Sequence, residues 1–511
     1  MGTDSRGNVE GFLRIFRFLK AAHQHTSGQI KLSMGLTCCL LALTTGCRPV
    51  EGRNANDPSK YPACDAGSYP YIPDKNAKGP GTPQWIRRFG CQGDDRATGV
   101  VVEQDGSVVA TGSFAGRISF GDLPITNGGQ RDAFVAKWDS KGKLQWNLRF
   151  GGVNSEASGT NIVLGAGGEL IVSGRFRGVL DATRPQLMSR AMDPFVLMVD
   201  PDGEFVWGKS FERSGANDES KLPIAVDPEG GMLMPAAPGR AERLGSVLRL
   251  DRAGQTIGRV TLQEGIASSV AVREDKSVLV VGYSGQSRTE GSTSRRGGTP
   301  GTERGGSSLF ISNYDINARR TWVRTIGSSR AGTVKSFGEP VMAVDAVGSC
   351  YLAFAYQGVL DLGAGGRDAE LLDSGTGFDI VLMKLDTSGQ TLWATAFPGP
   401  QGNEWVSSIS VHRSGDIVVG GSFERAVDFG GGPIMSIGPL SGFVVRLDTM
   451  GHHLWSRVVG GQGSSAVVES VAFGLEKRVA VAGSFRGWTD FGTGLVPASG
   501  QWDGFVAVYG P

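Results

Sequence analysis

From about residue 84 to the end of the chain, apolar and polar positions alternate in short runs separated by turn residues. Residues 99–104 form an apolar run, Asp105 and Gly106 signal a hairpin turn, and 107–114 place Val108, Ala110, Gly112 and Phe114 on one face. A third strand is predicted over 132–139, a tight turn over 140–142, and a fourth strand over 144–150. The fourth sets Leu144, Trp146, Leu148 and Phe150 on one face and Gln145, Asn147 and Arg149 on the other. That period of two with a polar face is the pattern of a half-exposed strand.

The tryptophan-bearing strand recurs at Trp85, Trp146, Trp207, Trp322, Trp393 and Trp455, with a degenerate copy over 257–260. The spacing is about 60 residues, scattering from about 50 to about 70, as expected of a repeat with variable loops. Four antiparallel strands in each unit describe a propeller blade. The last unit offers strands over 466–473, 478–485 and 501–509 but no tryptophan strand, whereas 82–89 is a tryptophan strand with no unit before it. The two deficits are complementary. The chain is therefore read as all-β, a seven-bladed β-propeller of four-stranded antiparallel blades over 84–511, its ring closed by the N-terminal strand completing the last blade. An open solenoid or two separate domains would leave both deficits unexplained. Blade three is the irregular one, because Pro235 falls in its second strand and leaves its boundaries ambiguous.

Composition fits many tight turns: 79 of 511 residues are glycine, roughly twice ordinary usage. Lys plus Arg number 51 and Asp plus Glu 50, so no global field favours nucleic acid. Residues 1–46 read as a signal and processing segment, with Arg14, Arg17, Lys20 and Lys31 ahead of an apolar core over 34–45. At about 12 residues that core suits a signal peptide and is too short for a transmembrane helix. The basic region before it is long, consistent with a translation start assigned too far upstream. Residues 47–83, rich in Pro, Gly, Asn, Asp and Lys, read as a flexible tether. The six cysteines show no zinc-site spacing, and whether Cys64 and Cys91 pair is left open.

Two resemblances bear on address. Residues 43–47, Leu-Thr-Thr-Gly-Cys, resemble a bacterial lipobox, with Thr44 where that motif prefers leucine. The units resemble the bacterial β-propeller-repeat proteins, many of them lipoproteins. The residues that carry this are Gly112-Ser113-Phe114 with Phe120-Gly121, Asp132-Ala133-Phe134, Gly421-Ser422-Phe423 with Asp428-Phe429-Gly430, and Gly483-Ser484-Phe485 with Asp490-Phe491-Gly492. The resemblance implies a lipid at Cys47 and an extracytoplasmic protein. Arg48, rather than aspartate, after the cysteine implies the outer membrane of a Gram-negative bacterium.

Candidate chemistry is sparse. The turns Asp139/Gly142, Asp200/Gly203, Asp251/Gly254, Asp386/Gly389 and Asp448/Gly451 superficially suggest calcium loops, but each carries one or two acids where calcium needs several oxygens. They are read as aspartates bonding their own turns, and the tryptophans as blade core. His412, His452 and His453 suggest no catalytic set, and residues 285–308 form a basic insertion in blade four, read as a solvated loop. Acids recur after the tryptophan strands: Asp94, Asp95, Glu156, Asp218, Glu219 and Glu404. They are expected near the mouth of the central channel, either holding a cation such as calcium or, more simply, solvated or capping local amides. No other cofactor is expected. The long loops at 115–131, 177–192, 285–306, 357–376 and 424–440 all join second to third strands and so emerge on one face. The reading is a non-catalytic binding or scaffold module, a monomer held at a membrane by its lipid, contacting a protein or glycan through that face. The alternative is an extracytoplasmic glycan hydrolase or lyase built on the propeller.

Overall fold

The computed structural model describes residues 79–511 except 92, 122–123, 182, 184, 212–220, 237–243, 285–307, 328–333, 363–370 and 401. The signal segment, Cys47 and the tether up to residue 78 lie outside the described residues, as do Asp218, Glu219 and nearly all of the blade-four insertion.

Seven antiparallel sheets follow one another along the chain. In blade one the strands Arg96–Val102, Val108–Phe114, Asp132–Trp138 and Leu144–Phe150 lie side by side in chain order, from the axis outward. Blade seven consists of Ser465–Phe473, Val479–Arg486 and Asp503–Tyr509, with Pro83–Phe89 from the other end of the described chain as its outer strand. Trp85 pairs with Val508 and Phe89 with Gly504, so the predicted ring closure is present residue by residue.

The core lies between the sheets. Seven apolar clusters each draw on two consecutive blades, the first joining Phe89 and Val506 of blade seven to Phe134 and Trp138 of blade one. The second and third strands are consequently covered on both faces. Val108–Phe114 alternates in sequence yet is buried at every position, because its small polar residues fit a covered face once bonded. Thr111 Oγ1, for instance, donates to the Phe134 carbonyl. The outer strands Leu144–Phe150 and Thr391–Phe397 keep the expected half-exposed pattern.

Two blades depart from the pattern. In blade three the inner strand is only Ala225–Val226, pairing as far as Leu233. Pro235 lies beyond that pairing, where a missing amide donor breaks no ladder. In blade five the inner strand is split into Val334–Phe337 and Val341–Val344 around Gly338 and Pro340.

Each tryptophan of an outer strand lies on the turn between the third and fourth strands of the next blade. A methyl group on Gly142 would stand 2.7 Å from the Trp85 ring, and Gly203, Gly254, Gly389 and Gly451 seat Trp146, Trp207, Trp322 and Trp393 in the same way. Indole nitrogens of Trp85, Trp146, Trp207 and Trp322 donate to carbonyls in those turns. The aspartate of each turn accepts its own amides two and four residues on, as Asp139 does from Lys141 and Lys143. The aspartate turns and the tryptophans, read separately in the sequence, are the two halves of one contact. In blade three the register corrects the sequence alignment by one residue: Gly258, not Ile257, stands at the tryptophan position, so there is no indole to seat, and the following turn carries Ala318 at φ 62° where the others carry glycine.

Candidate functional site

The long-loop face is built of short hairpins. Residues 115–131 pair Arg117–Ile118 with Ile125–Thr126, blade two prolongs its middle strands to Leu180 and Leu187, and blade five pairs Leu372–Asp373 with the end of Cys350–Leu360. Blades six and seven form Ala426–Asp428 with Pro433–Met435 and Trp488–Asp490 with Leu495–Pro497. The Asp-Phe-Gly repeats anchor these last two. Asp428 accepts the amides of Gly430 and Gly432, and Asp490 those of Gly492 and Gly494, which closes each turn. Phe429 and Phe491 meanwhile pack on Phe443 and Phe505 in the blade cores. The hairpins are thereby fixed while their outer edges face solvent: Met435 is 63 % exposed, Ile437 50 %, Trp488 57 % and Leu495 59 %. Met188 on the blade-two hairpin is 75 % exposed. These exposed apolar side chains, held on anchored hairpins, make this face the candidate surface.

The central axis offers less. Six inner strands slip register by one residue, at Thr98, Thr160, Ser268, Lys335, Ser407 and Glu469. Lys221 enters from blade three, and its ammonium donates to the carbonyls of Ser407 in blade six and Glu469 in blade seven, with the Glu469 carboxylate at 3.6 Å. At least two blades separate these residues by either route around the ring, so the side chain spans the axis. Nothing in the sequence singled out Lys221, because its partners lie far along the chain.

The acids that follow the tryptophan strands are distributed over separate blade joints. Asp94 is paired with Arg96 and Arg131, which outweigh the effect of burial and hold its carboxyl below the ordinary value. Glu156 is paired with Arg177. Asp95 is fully buried and accepts the amides of Cys91 and Ala115; burial nonetheless pushes its carboxyl well above the usual range. Glu404 is also fully buried. Asp95 and Glu404 occupy equivalent positions, each donating its amide to the residue before the third strand, Trp502 and Phe378 respectively. Among the described residues, no group of three or more His, Cys, Asp or Glu side chains is placed to hold a metal ion. His412 caps the turn after the inner strand rather than lying within it, bonding Ser414.

A second set of acids shares one register position: Asp132, Asp379 and Asp503 open the third strands of blades one, five and seven, and Asp193 is the half-buried equivalent in blade two. Asp132 and Asp503 accept amides of the preceding loop, from Gly128 and from Ser499 with Gly500, whereas Asp379 accepts that of Gly399 in the link from blade five to blade six. The signal was available, since Asp132-Ala133-Phe134 and Asp503-Gly504-Phe505 are visible repeats. Arg149 pairs with Asp132, and Arg88 lies 2.7 Å from Asp503.

No family model matches the chain, and no curated protein matches it in sequence. Among solved structures, it is similar to one described as the Dos1 propeller, at a TM-score of 0.40 and 8 % identity, covering 82 % of this chain and 92 % of that one. The chain is a seven-bladed β-propeller on the strength of its own sheets and their closure.

Proposed function

We propose that the protein is a non-catalytic binding module, lipid-anchored outside the cytoplasm, that engages a protein or glycan through the face carrying the hairpins. The observation that carries this reading is the set of anchored hairpins with exposed Met188, Met435, Ile437, Trp488 and Leu495. The axis, where a propeller enzyme would gather acids and bases, is instead bridged by Lys221. The address rests on the lipobox-like 43–47 and the apolar 34–45, and is supported by Cys91, which is held in a disulfide, a bond that persists outside reducing compartments. Within this reading, Cys47 carries the acyl chains and the outer membrane is the destination.

The test is a glycan array and a surface cross-linking experiment on the native membrane, comparing the wild-type chain with a Trp488→Ser/Met435→Ser double variant. Ligand capture by the wild type, lost in the double variant while the melting transition is unchanged, is the expected result. Capture that the double variant retains would move the site elsewhere. Turnover of a glycan by the purified chain would establish the enzyme reading instead.

A further inference from the structure

The joints between blades share a register at which two aspartates lack an arginine: Asp193 of blade two, with Ser210 opposite Phe195, is only half-buried and accepts Ser189 Oγ, which leaves Asp379 of blade five as the buried case. Arg88 pairs across the sheet with Phe505, two residues after Asp503, and Arg149 with Phe134, two residues after Asp132. In both joints the arginine reaches that aspartate. Blade five places Ala396 opposite Val381, two residues after Asp379, so the same position holds a methyl group in place of a guanidinium. Blade six also lacks the arginine, with Val458 in that place, but there the third strand opens with the neutral Ser441.

The joint between blades five and six therefore contains an aspartate without its cation, and it adds a second acid. Asp379 is 4 % exposed and Glu404 0 %. Asp379 takes an amide from Gly399, whereas both Glu404 carboxyl oxygens are buried without a donor. The polar group facing Glu404 is the Asp379 carboxyl, and two carboxyls bond each other only when one of them is protonated. The other titratable groups that act on the pair are acids as well: Asp373 from the blade-five hairpin on Asp379, and Glu424 from the end of the second strand of blade six on Glu404. Tyr356, on the second strand of blade five, feels Asp379 and Asp373. Asn403, the neutral neighbour, spends its amide on Glu424. Two ionised carboxylates buried together would repel with nothing to offset them.

We propose that one proton, shared between Glu404 and Asp379, fastens the joint between blades five and six, doing there what Arg88 and Arg149 do elsewhere, and that losing it loosens this part of the ring. Burial first, and Asp379 next, push the Glu404 carboxyl up to about 9, and burial raises Asp379 too. The folded value lies above the unfolded one, so the contribution to stability is fully present below the ordinary carboxyl range. It is lost as pH rises toward about 9. Across that window one proton is released on unfolding, which makes the unfolding equilibrium constant rise about tenfold per pH unit. The hairpin bearing Met435 and Ile437 belongs to blade six, so the device sits beside the proposed recognition face without depending on that proposal.

The experiment is urea unfolding of the full chain in detergent from pH 5 to pH 9, together with Glu404→Gln and Ala396→Arg. Glu404→Gln, whose amide donates to Asp379 at any pH, should remove about one proton's worth of slope, and Ala396→Arg should reduce it by supplying the missing cation. Should Glu404→Gln fail to fold, a protonated carboxylic acid band in the wild-type minus Ala396→Arg infrared difference spectrum at pH 7, from which any contribution of Asp95 cancels, supports the same conclusion. Equal slopes in all three proteins, or no such difference band, would overturn it. Stabilisation of the wild type at pH 9 by calcium, with the band absent, would replace the shared proton with a metal ion and equally overturn it.

Discussion

The indole of Trp85 packs against Gly142, two residues that share neither a sheet nor a stretch of chain. Gly142 has φ of 79°, a methyl group there would lie 2.7 Å from the indole, and the Gly142 carbonyl accepts a hydrogen bond from Arg87 Nε. Gly142→Ala should thus meet two costs, about 1–2 kcal/mol for the left-handed backbone and about 1–3 kcal/mol for overpacking. Gly116→Ala is the control: φ there is 85°, but nothing lies within 4 Å of the added methyl. Chemical denaturation should show Gly142→Ala clearly the worse of the two. Equal losses would mean that the indole does not need the glycine.

Ring closure gives a second expectation. Removing residues 79–90 deletes the outer strand of blade seven and also takes away Gly81, which seats Trp455 of blade six and accepts Arg457 Nε. Stability should fall by several kcal/mol, since truncating one buried aromatic alone costs about 3–5 kcal/mol. Hydrogen exchange should accelerate in His453–Val459 as well as in Asp503–Tyr509. A melting temperature within about 2 °C of the parent would show that the strand is dispensable.

How far the sequence disclosed this can be seen at particular residues. The tryptophan strands and the aspartate turns are legible because both recur with one residue type at a fixed place. That Trp322 rests on Gly389 is not, because the contact joins two periodic features from different blades. Asp94 and Glu404 are both recurrent acids, which sequence alone places together over the channel, whereas packing sends one to an arginine pair and buries the other against a carboxyl. Charge type is local; burial and partner are properties of the closed ring. Lys221 illustrates the same limit, since a lysine after a loop has no sequence mark for reaching across an axis.

Arg88→Met should convert the joint between blades seven and one into an acid pair like that of blades five and six. Burial already raises Asp503 and Asp95 above their ordinary values, with Arg88 opposing the shift at Asp503. Loss of a buried partner costs about 3–5 kcal/mol. The sign follows from the raised folded values: the deficit should be largest at high pH and shrink as pH falls toward the ordinary carboxyl range. A deficit independent of pH would indicate lost packing alone.

For the anchor, wild-type protein expressed in a Gram-negative host should partition into detergent and sediment with outer membranes. Cys47→Ser should be released or persist as unprocessed precursor. Identical processing and solubility of the two forms would exclude acylation at Cys47.

The tryptophan-on-glycine contact also bears on how such a ring could have grown. A duplicated segment cut at the borders of a sheet would separate each indole from its seat, whereas one cut between the third and fourth strands, running to the same point in the next blade, would carry the seat behind the tryptophan it receives. The unit of descent is then offset from the unit of architecture. Blade three fits this offset, for the missing indole at Gly258 and the missing glycine at Ala318 are the two halves of a single contact.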